Sequence, residues 1–567
     1  MKCPMRWRRA TYACPVPASP DLRRRLSIST PVAVLAGWAL LLSSTQVAYA
    51  ADAGPGAGSA TAPAAAAAAA EDRAAAEDAL AQVQAMLGSG DARTPRGSAR
   101  DATPHDGHDL TLALRDLGFR LDDLSPSDRR EARGFLARPT GYYEYDFVTY
   151  EPGFDLQSEC GPEVCVHWVE EGPHAPSLLD EDEDGVPDQV SLTLETVEDV
   201  WERTLAMGYR APLDDDVDVA DPDGEGRFDV YLADVGSIEP IPLFGYCAWE
   251  SKDGYDYAGA GYCVLDDDYA SDQFGGADPV ESLRVTAAHE FFHAVQFGYD
   301  AVEDLWFMEA TATWIEDELF DDLDGNRDYL EESQLYFPEQ PLDAPRAALG
   351  NWVFFRWLSE RYGPQIVLQA WRQADSVGSA PDLWGLLAVG AALRSRGTAL
   401  GRELARYAVD LRFAEQVFAE AGEDARWAAA PAAELVELTR RERVRELDGL
   451  RLRQTASMSL EVPTSRRTSR MRRLLVTVDT PPRRRGVRVK LVQERTDGSR
   501  AVQPVRLDRT GAGSARIGFA RGRVERIHVV LAGTSIRMRC WEGTRFSCEG
   551  ERLDDRLRVD VRLEGRR

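Results

Sequence analysis

The chain has 567 residues, 44% of them hydrophobic and 28% charged, with 95 acidic against 66 basic side chains. That length holds two to four domains with a sizeable core, which excludes global disorder, a collagen-like fibre and a polytopic membrane protein. A net charge of −29 argues against nucleic acid as a partner, because the two would repel.

Residues 1–50 read as a Sec-type export signal. Arg23-Arg24-Arg25 is the basic region, 32–42 the apolar run, and Ala48-Tyr49-Ala50 the small-x-small cleavage site. The run is short for a bilayer span, and an uncleaved anchor is the alternative. No later stretch reaches about 18 unbroken apolar residues, so no transmembrane segment is expected after the signal. The implied location is extracellular or periplasmic, in a bacterium.

Residues 51–137 are expected to be a low-complexity linker or pro-segment with a short helix at 71–87; to about residue 100 the composition suits a solvated stalk or pro-segment, and a short ordered patch follows. His105 and His108 within it either bind metal or belong to a flexible linker. Ser125, followed by Pro126, caps a further helix that stops before Pro139.

From 138 to 430 the pattern is mixed, so the fold class is α+β. Strands are expected at 142–150, 164–169, 228–232 and 261–265. Helices are expected at 190–207, 280–297, 305–319, 352–361 and within 383–421. Short alternating runs at 458–462, 474–478, 487–492, 526–531 and 557–563 predict an antiparallel, sandwich-like β domain over 431–567. That last region holds 33 basic and 18 acidic side chains, or +15, leaving −44 for the rest. Nearly all positive charge is arginine, since lysine occurs only at Lys2, Lys252 and Lys490. Attachment to a cell surface or substrate capture is the expected role of this domain.

Beyond the leader, six cysteines fall into close couples: Cys160 with Cys165, Cys247 with Cys263, Cys540 with Cys548. Local pairs suit disulfides in an oxidising compartment, and the C-x-x-C spacing of a metal cluster is absent.

His289-Glu290-Phe291-Phe292-His293 is the segment that carries chemistry. Histidines at i and i+4 stand one turn apart on a helix and reach a single metal, while Glu290 projects about 100° away. The bland alternative is a helix with two incidental histidines. Against it, the surrounding residues are apolar on nearly every side, and a buried His-Glu-His cluster without a counter-charge costs several kcal/mol. A third ligand must be a carboxylate, because no histidine lies between His293 and His528. Glu303, Asp304, Glu309, Glu316 and Asp317 are available. Glu309 is favoured as the interior charge of the apolar run Trp306–Ile315, unless it pairs instead with an arginine.

His289–His293 followed by Trp306-Phe307-Met308-Glu309-Ala310 and Glu316 resembles the gluzincin class of zinc metallopeptidases. The wider pattern, with Leu136-Ala137-Arg138-Pro139-Thr140 and an acidic loop ending Gly185-Val186-Pro187-Asp188, is similar to a family of secreted bacterial metalloproteases. The likeness spans about 124–363. It implies a zincin-like domain over 138–430 and Zn²⁺ held by His289, His293 and Glu309. It further implies peptide hydrolysis by zinc-activated water, with Glu290 as general base. Thr313 stands where thermolysin-like enzymes have an orienting Asp, so Glu316 is expected to orient a ligand. The class stabilises the oxyanion with a downstream His or Tyr, which leaves Tyr336 or Tyr329 here. The strand 261–265 is expected to be an edge along which an extended peptide substrate adds, stiffened by Cys247–Cys263.

Two acidic loops fit calcium-ligand spacing: Asp180, Asp182, Asp184 and Asp188, then Asp221, Asp223, Glu225 and Asp229. Solvated surface loops are the alternative. The function implied is a secreted zinc metallopeptidase; the competing reading is an extracellular binding protein with an inactive or structural metallopeptidase-like domain.

Overall fold

The computed structural model describes residues 62–88, 110–140, 148, 150, 154–214, 226–238, 242–251, 254–422, 424–540, 547–548 and 550–567. The export signal, His105, His108, Asp221, Asp223, Glu225 and most of the strand expected at 142–150 lie outside the described residues.

Three helices open the described chain: α1 (Ala62–Met86), α2 (Leu110–Phe119) and α3 (Pro126–Phe135). A five-stranded sheet follows, built from β1 (Gln157–Cys160), β2 (Val164–Trp168), β3 (Phe228–Ala233), β4 (Gly245–Ser251) and β5 (Gly259–Asp266). Its order is β1-β2-β3-β5-β4. The three middle strands run parallel, with β1 and β4 antiparallel at the edges. β2, β3 and β5 are buried along their whole lengths, the mark of strands covered on both faces.

Side-chain alternation shows what covers each face. Val230, Leu232, Cys263 and Leu265 point into the main core, with α4 (Asp188–Ala206) and α5 (Pro279–Asp300) packed beneath. Tyr231, Ala233, Tyr262 and Val264 point the other way, onto Leu110, Leu114 and Leu117 of α2 and Ala76, Leu80 and Val83 of α1. The expectation of a solvated stalk is therefore corrected for α1. A parallel sheet needs two apolar coats, and these helices supply the second. The edge-strand expectation is corrected as well: β5 is paired on both sides, and β4 is the edge. Cys247 and Cys263 sit opposite each other across that pair and are disulfide-bonded, as are Cys160–Cys165 and Cys540–Cys548.

α5 begins where Asp278 caps the amides of Val280 and Glu281 and Pro279 fills the first turn. It is buried on almost every side between the sheet and α6 (Leu305–Leu319). Beyond α6 come α7 (Trp352–Tyr362), α8 (Gln365–Ala374), α9 (Gly385–Ser395) and α10 (Leu400–Asp410). The sequence reading missed α8, which is polar on one side only.

The C-terminal region is β-rich. β6 (Glu434–Leu435), β8 (Ser457–Pro463), β10 (Val487–Arg495), β11 (Arg500–Val505) and β13 (Val524–Gly533) form one sheet. β7 (Val444–Leu452), β9 (Arg473–Asp479), β12 (Ala512–Gly518) and β16 (Leu557–Arg566) form the other, and the two share a core. β14 (Met538–Cys540) and β15 (Gly550–Arg552) make a small ribbon. Ala405, Ala408 and Val409 of α10 pack on Val492, Val530 and Ala532 of the first sheet. No helix among the described residues is long and apolar enough to cross a membrane.

Arg138, from the Leu-Ala-Arg-Pro-Thr stretch, ties the N-terminal helices to the sheet. Its guanidinium is 7% exposed, pairs with Asp229 on β3 and grips Glu250 on β4 at 2.8 and 3.1 Å. Asp229 also meets His167 Nε2 at 2.8 Å. The calcium role expected of Asp229 is thereby corrected: it is a buried strand residue committed to a guanidinium and an imidazole. Arg138→Met should lower stability by about 3–5 kcal/mol, the cost of stranding one member of a buried pair. Urea unfolding followed by tryptophan fluorescence measures it, and an unchanged midpoint contradicts this account.

Candidate metal centre

His289, Glu290 and His293 occupy the middle of α5, and Glu309 the first turns of α6; none is more than 1% exposed. One oxygen of Glu309 lies 3.4 Å from His289 Nε2 and 3.7 Å from His293 Nε2. The imidazoles meet edge to face with centroids 4.8 Å apart.

What turns both Nε2 atoms inward is the partner on the other side of each ring. His289 Nδ1 meets Glu316 Oε1 at 2.6 Å, and His293 Nδ1 meets Gln296 Oε1 at 2.8 Å. A carboxylate and an amide oxygen only accept, so each Nδ1 carries a proton and each Nε2 is left facing Glu309. Gln296 is itself held, donating from Nε2 to Met308 O at 3.0 Å and to Thr311 Oγ1 at 3.1 Å.

Two imidazole nitrogens and a carboxylate are therefore gathered in a dry interior. Among the described residues, both Glu309 oxygens and His293 Nε2 find no partner in hydrogen-bond geometry. Burial opposes ionisation of Glu309, yet the two imidazoles hold its pKa down to about 2. Burial likewise disfavours a cationic His289, but Glu309 and Glu316 outweigh it and push that pKa well above the usual value. The field at this point calls for positive charge, and a proton or a metal ion at Nε2 would answer it. Donor type and spacing suit a metal ion, with one ligand atom from each residue and all within 4.8 Å of one another.

Glu290 is tied to α2. Its Oε2 accepts from Thr111 Oγ1 on α2 at 2.8 Å, and the same hydroxyl accepts from the Cys247 amide of the edge strand at 2.9 Å. Arg115, one turn further along α2, donates to Ala301 O and Glu303 O at 3.1 Å, in the turn between α5 and α6. The N-terminal helices thus clasp both the acid beside His289 and the loop joining α5 and α6.

The remaining acids of the sequence reading are placed apart. Asp317 bonds Arg356 at 2.7 Å, Glu303 accepts from Ser547, and the Cys548 amide donates to Asp304. Tyr336 donates to Arg426 O at 3.0 Å, and its charged neighbours are Glu331, Asp424 and Arg426 rather than the metal ligands. Tyr329 is half-buried on the 3-10 helix Gly325–Glu332. In the first acidic loop Asp180, Asp182 and Asp188 come together, while Asp184 instead accepts from the Val186 amide. A further group, Asp234, Asp266 and Asp267, joins the ends of β3 and β5; the run Asp266-Asp267-Asp268 was its sequence signal. Gln296 and Thr111 were also missed. Gln296 was visible only as a polar residue three positions beyond His293, on an otherwise apolar helix.

No family model and no curated protein matches the chain. Among solved structures, the pre-peptidase C-terminal domain of a collagenase from Bacillus anthracis aligns at 5% identity and a TM-score of 0.15, covering 24% of this chain and 97% of that one. A family GH115 4-O-methyl-alpha-glucuronidase aligns at 9% identity and a TM-score of 0.12, covering 51% of this chain and 38% of that one. Similarity at that level carries no argument about fold or site.

Gln296→Leu removes the acceptor that orients His293 while keeping the side chain's bulk. Divalent-cation affinity should fall about 10–100-fold, read by isothermal titration with Zn²⁺, with the far-ultraviolet circular dichroism unchanged. Undiminished affinity would contradict the assignment.

Proposed function

We propose that the chain is a secreted zinc metallopeptidase, with a zincin-like domain over 138–430 in which His289, His293 and Glu309 hold the metal. The observation that carries this reading is the convergence of both Nε2 atoms on one Glu309 oxygen, 3.4 and 3.7 Å away, with Glu290 on the same helix turn. When bound, zinc supplies Lewis-acid polarisation of a carbonyl and of water. Glu290 takes the proton of the attacking water and returns it to the departing amine nitrogen, general acid–base work that contributes about 10²–10⁴-fold. Glu316 and Gln296 keep the two rings fixed, so that the protein does not reorganise as charge develops.

The free side of β4 is the place for an extended peptide to pair. In the conformation described, the Cys247 amide on that strand is taken by Thr111, and the ligands are sealed from solvent. The N-terminal helices therefore act as a pro-segment that withdraws before substrate enters. Asp180, Asp182 and Asp188 are the residues for a structural Ca²⁺, and the C-terminal β domain serves attachment to a cell surface. The same sealed site favours a second reading, an extracellular binding protein whose metal centre is structural.

Casein cleavage separates the two. It is measured on the full chain and on its limited-proteolysis product, for wild type and Glu290→Gln, beside zinc titration. The enzyme reading expects zinc in both proteins and at least a 100-fold loss of cleavage in the variant. Zinc in both with cleavage in neither, before and after proteolysis, overturns it.

A further inference from the structure

α10 and the C-terminal sheet containing β10 and β13 meet through apolar side chains, but the rim of that contact is basic on both sides. α10 contributes Arg402 and Arg406, one turn apart, and α7 contributes Arg361. Opposite them, Arg488 and Lys490 lie two residues apart on β10 and so share its helix-facing side with Val492. Between the two elements is a cleft of about 340 Å³, floored by Ala405 and Val409 and flanked by the exposed Val502. That volume lies in the range of small-ligand clefts.

The charges around it do not balance. Arg361 is paired with Asp410 at 2.9 Å, and Arg406 with Glu403 at 2.9 Å. Arg402, Arg488 and Lys490 make no ion pair and no side-chain hydrogen bond among the described residues. Burial pushes the Lys490 ammonium below its usual range, and Arg488, Arg406 and Arg402 push it further. Arg488 is lowered by burial and then by Arg483 and Arg402. Lys490 is moreover the one lysine among the described residues of a chain that otherwise places arginine at its basic positions. Like charges brought together from two elements repel, and Asp410, which lines the cleft, and Glu403 offset this only in part, since they are paired with Arg361 and Arg406.

We propose that this cleft binds a phosphate-type oxyanion, a phosphate ester whose charge is met by Arg402 and Lys490, with Arg488 adding positive field from beside the cleft, and whose carbon part lies on Val409 and Val502. Guanidinium forks match phosphate oxygens two at a time, and an ammonium adds a point charge. The site is independent of the metal centre and stands whether or not the chain is a peptidase. It gives the Arg-rich domain a defined ligand chemistry, either a soluble organic phosphate or the headgroup of a lipid.

The test uses the full chain and inorganic pyrophosphate as probe, at constant ionic strength. Titration calorimetry should show saturable binding near one equivalent, weakened at least tenfold in Lys490→Gln and in Arg402→Gln. Without the anion, both variants should melt no lower than wild type, because the substitution removes repulsion. With pyrophosphate, wild type alone should gain melting temperature. Arg558→Gln, on the exposed face of the other sheet, should bind as wild type does. Sedimentation with phosphatidic acid vesicles that pyrophosphate reverses assigns the ligand to a lipid headgroup; absence of sedimentation assigns it to a soluble phosphate. No saturable binding, unaltered affinity in both cleft variants, or equal weakening in Arg558→Gln overturns the proposal.

Discussion

The centre of this protein is held by two hydrogen bonds on the outward sides of two imidazoles. Glu316 and Gln296 fix a proton of each ring on Nδ1, and only then do the Nε2 atoms of His289 and His293 face Glu309 together. Without those bonds each ring could flip or turn, and the three donors would be scattered polar groups in an apolar core. The surrounding architecture serves this arrangement. α5 and α6 are apolar nearly all round, which buries the ligands deeply enough to make their uncompensated charge costly. The same burial makes a cation there worth more than it would be in water.

The sheet explains why so much chain is needed to build the site. Parallel strands buried on both faces require a layer on each side, and α5 lies in one of them. The other is supplied by α1 and α2, and once placed there they reach round the edge of β4. Thr111 then touches Glu290 and the Cys247 amide at once, and Arg115 clamps the turn between the ligand helices. Packing and access are thus coupled: the segment that completes the fold also closes the site. Its withdrawal would uncover Tyr231, Tyr246 and Tyr262, so the opened form must cover this face in another way or accept a weaker sheet.

Much of this was legible from residues alone. The i, i+4 histidines, the apolar run around Glu309 and the three cysteine couples all rest on local spacing, which sequence states directly, whereas a role for Glu316 is implied only by the resemblance. So do α4, α5, α6 and the alternating strands of the C-terminal sheets. What was not legible depends on contacts between distant segments. An alanine-rich run such as 62–76 reads as stalk, since nothing in it reveals the apolar sheet face waiting to be covered. Asp229 fits a calcium spacing, and only the approach of Arg138 from 91 residues away shows where its charge goes. An edge at 261–265 is implied only by the resemblance to related folds, and its outer neighbour β4 is not among the strands expected from the sequence. Tyr336 was chosen by elimination, and its hydroxyl is committed to Arg426.

X-ray absorption at the zinc edge tests the central claim most directly, on full-length protein loaded with one equivalent of Zn²⁺. The account predicts a four-coordinate spectrum with two imidazole scatterers and low-Z oxygen ligands at about 2.0–2.1 Å, and loss of one imidazole in His293→Ala. A six-coordinate, all-oxygen environment, or a spectrum indifferent to that substitution, would place the metal elsewhere and contradict it.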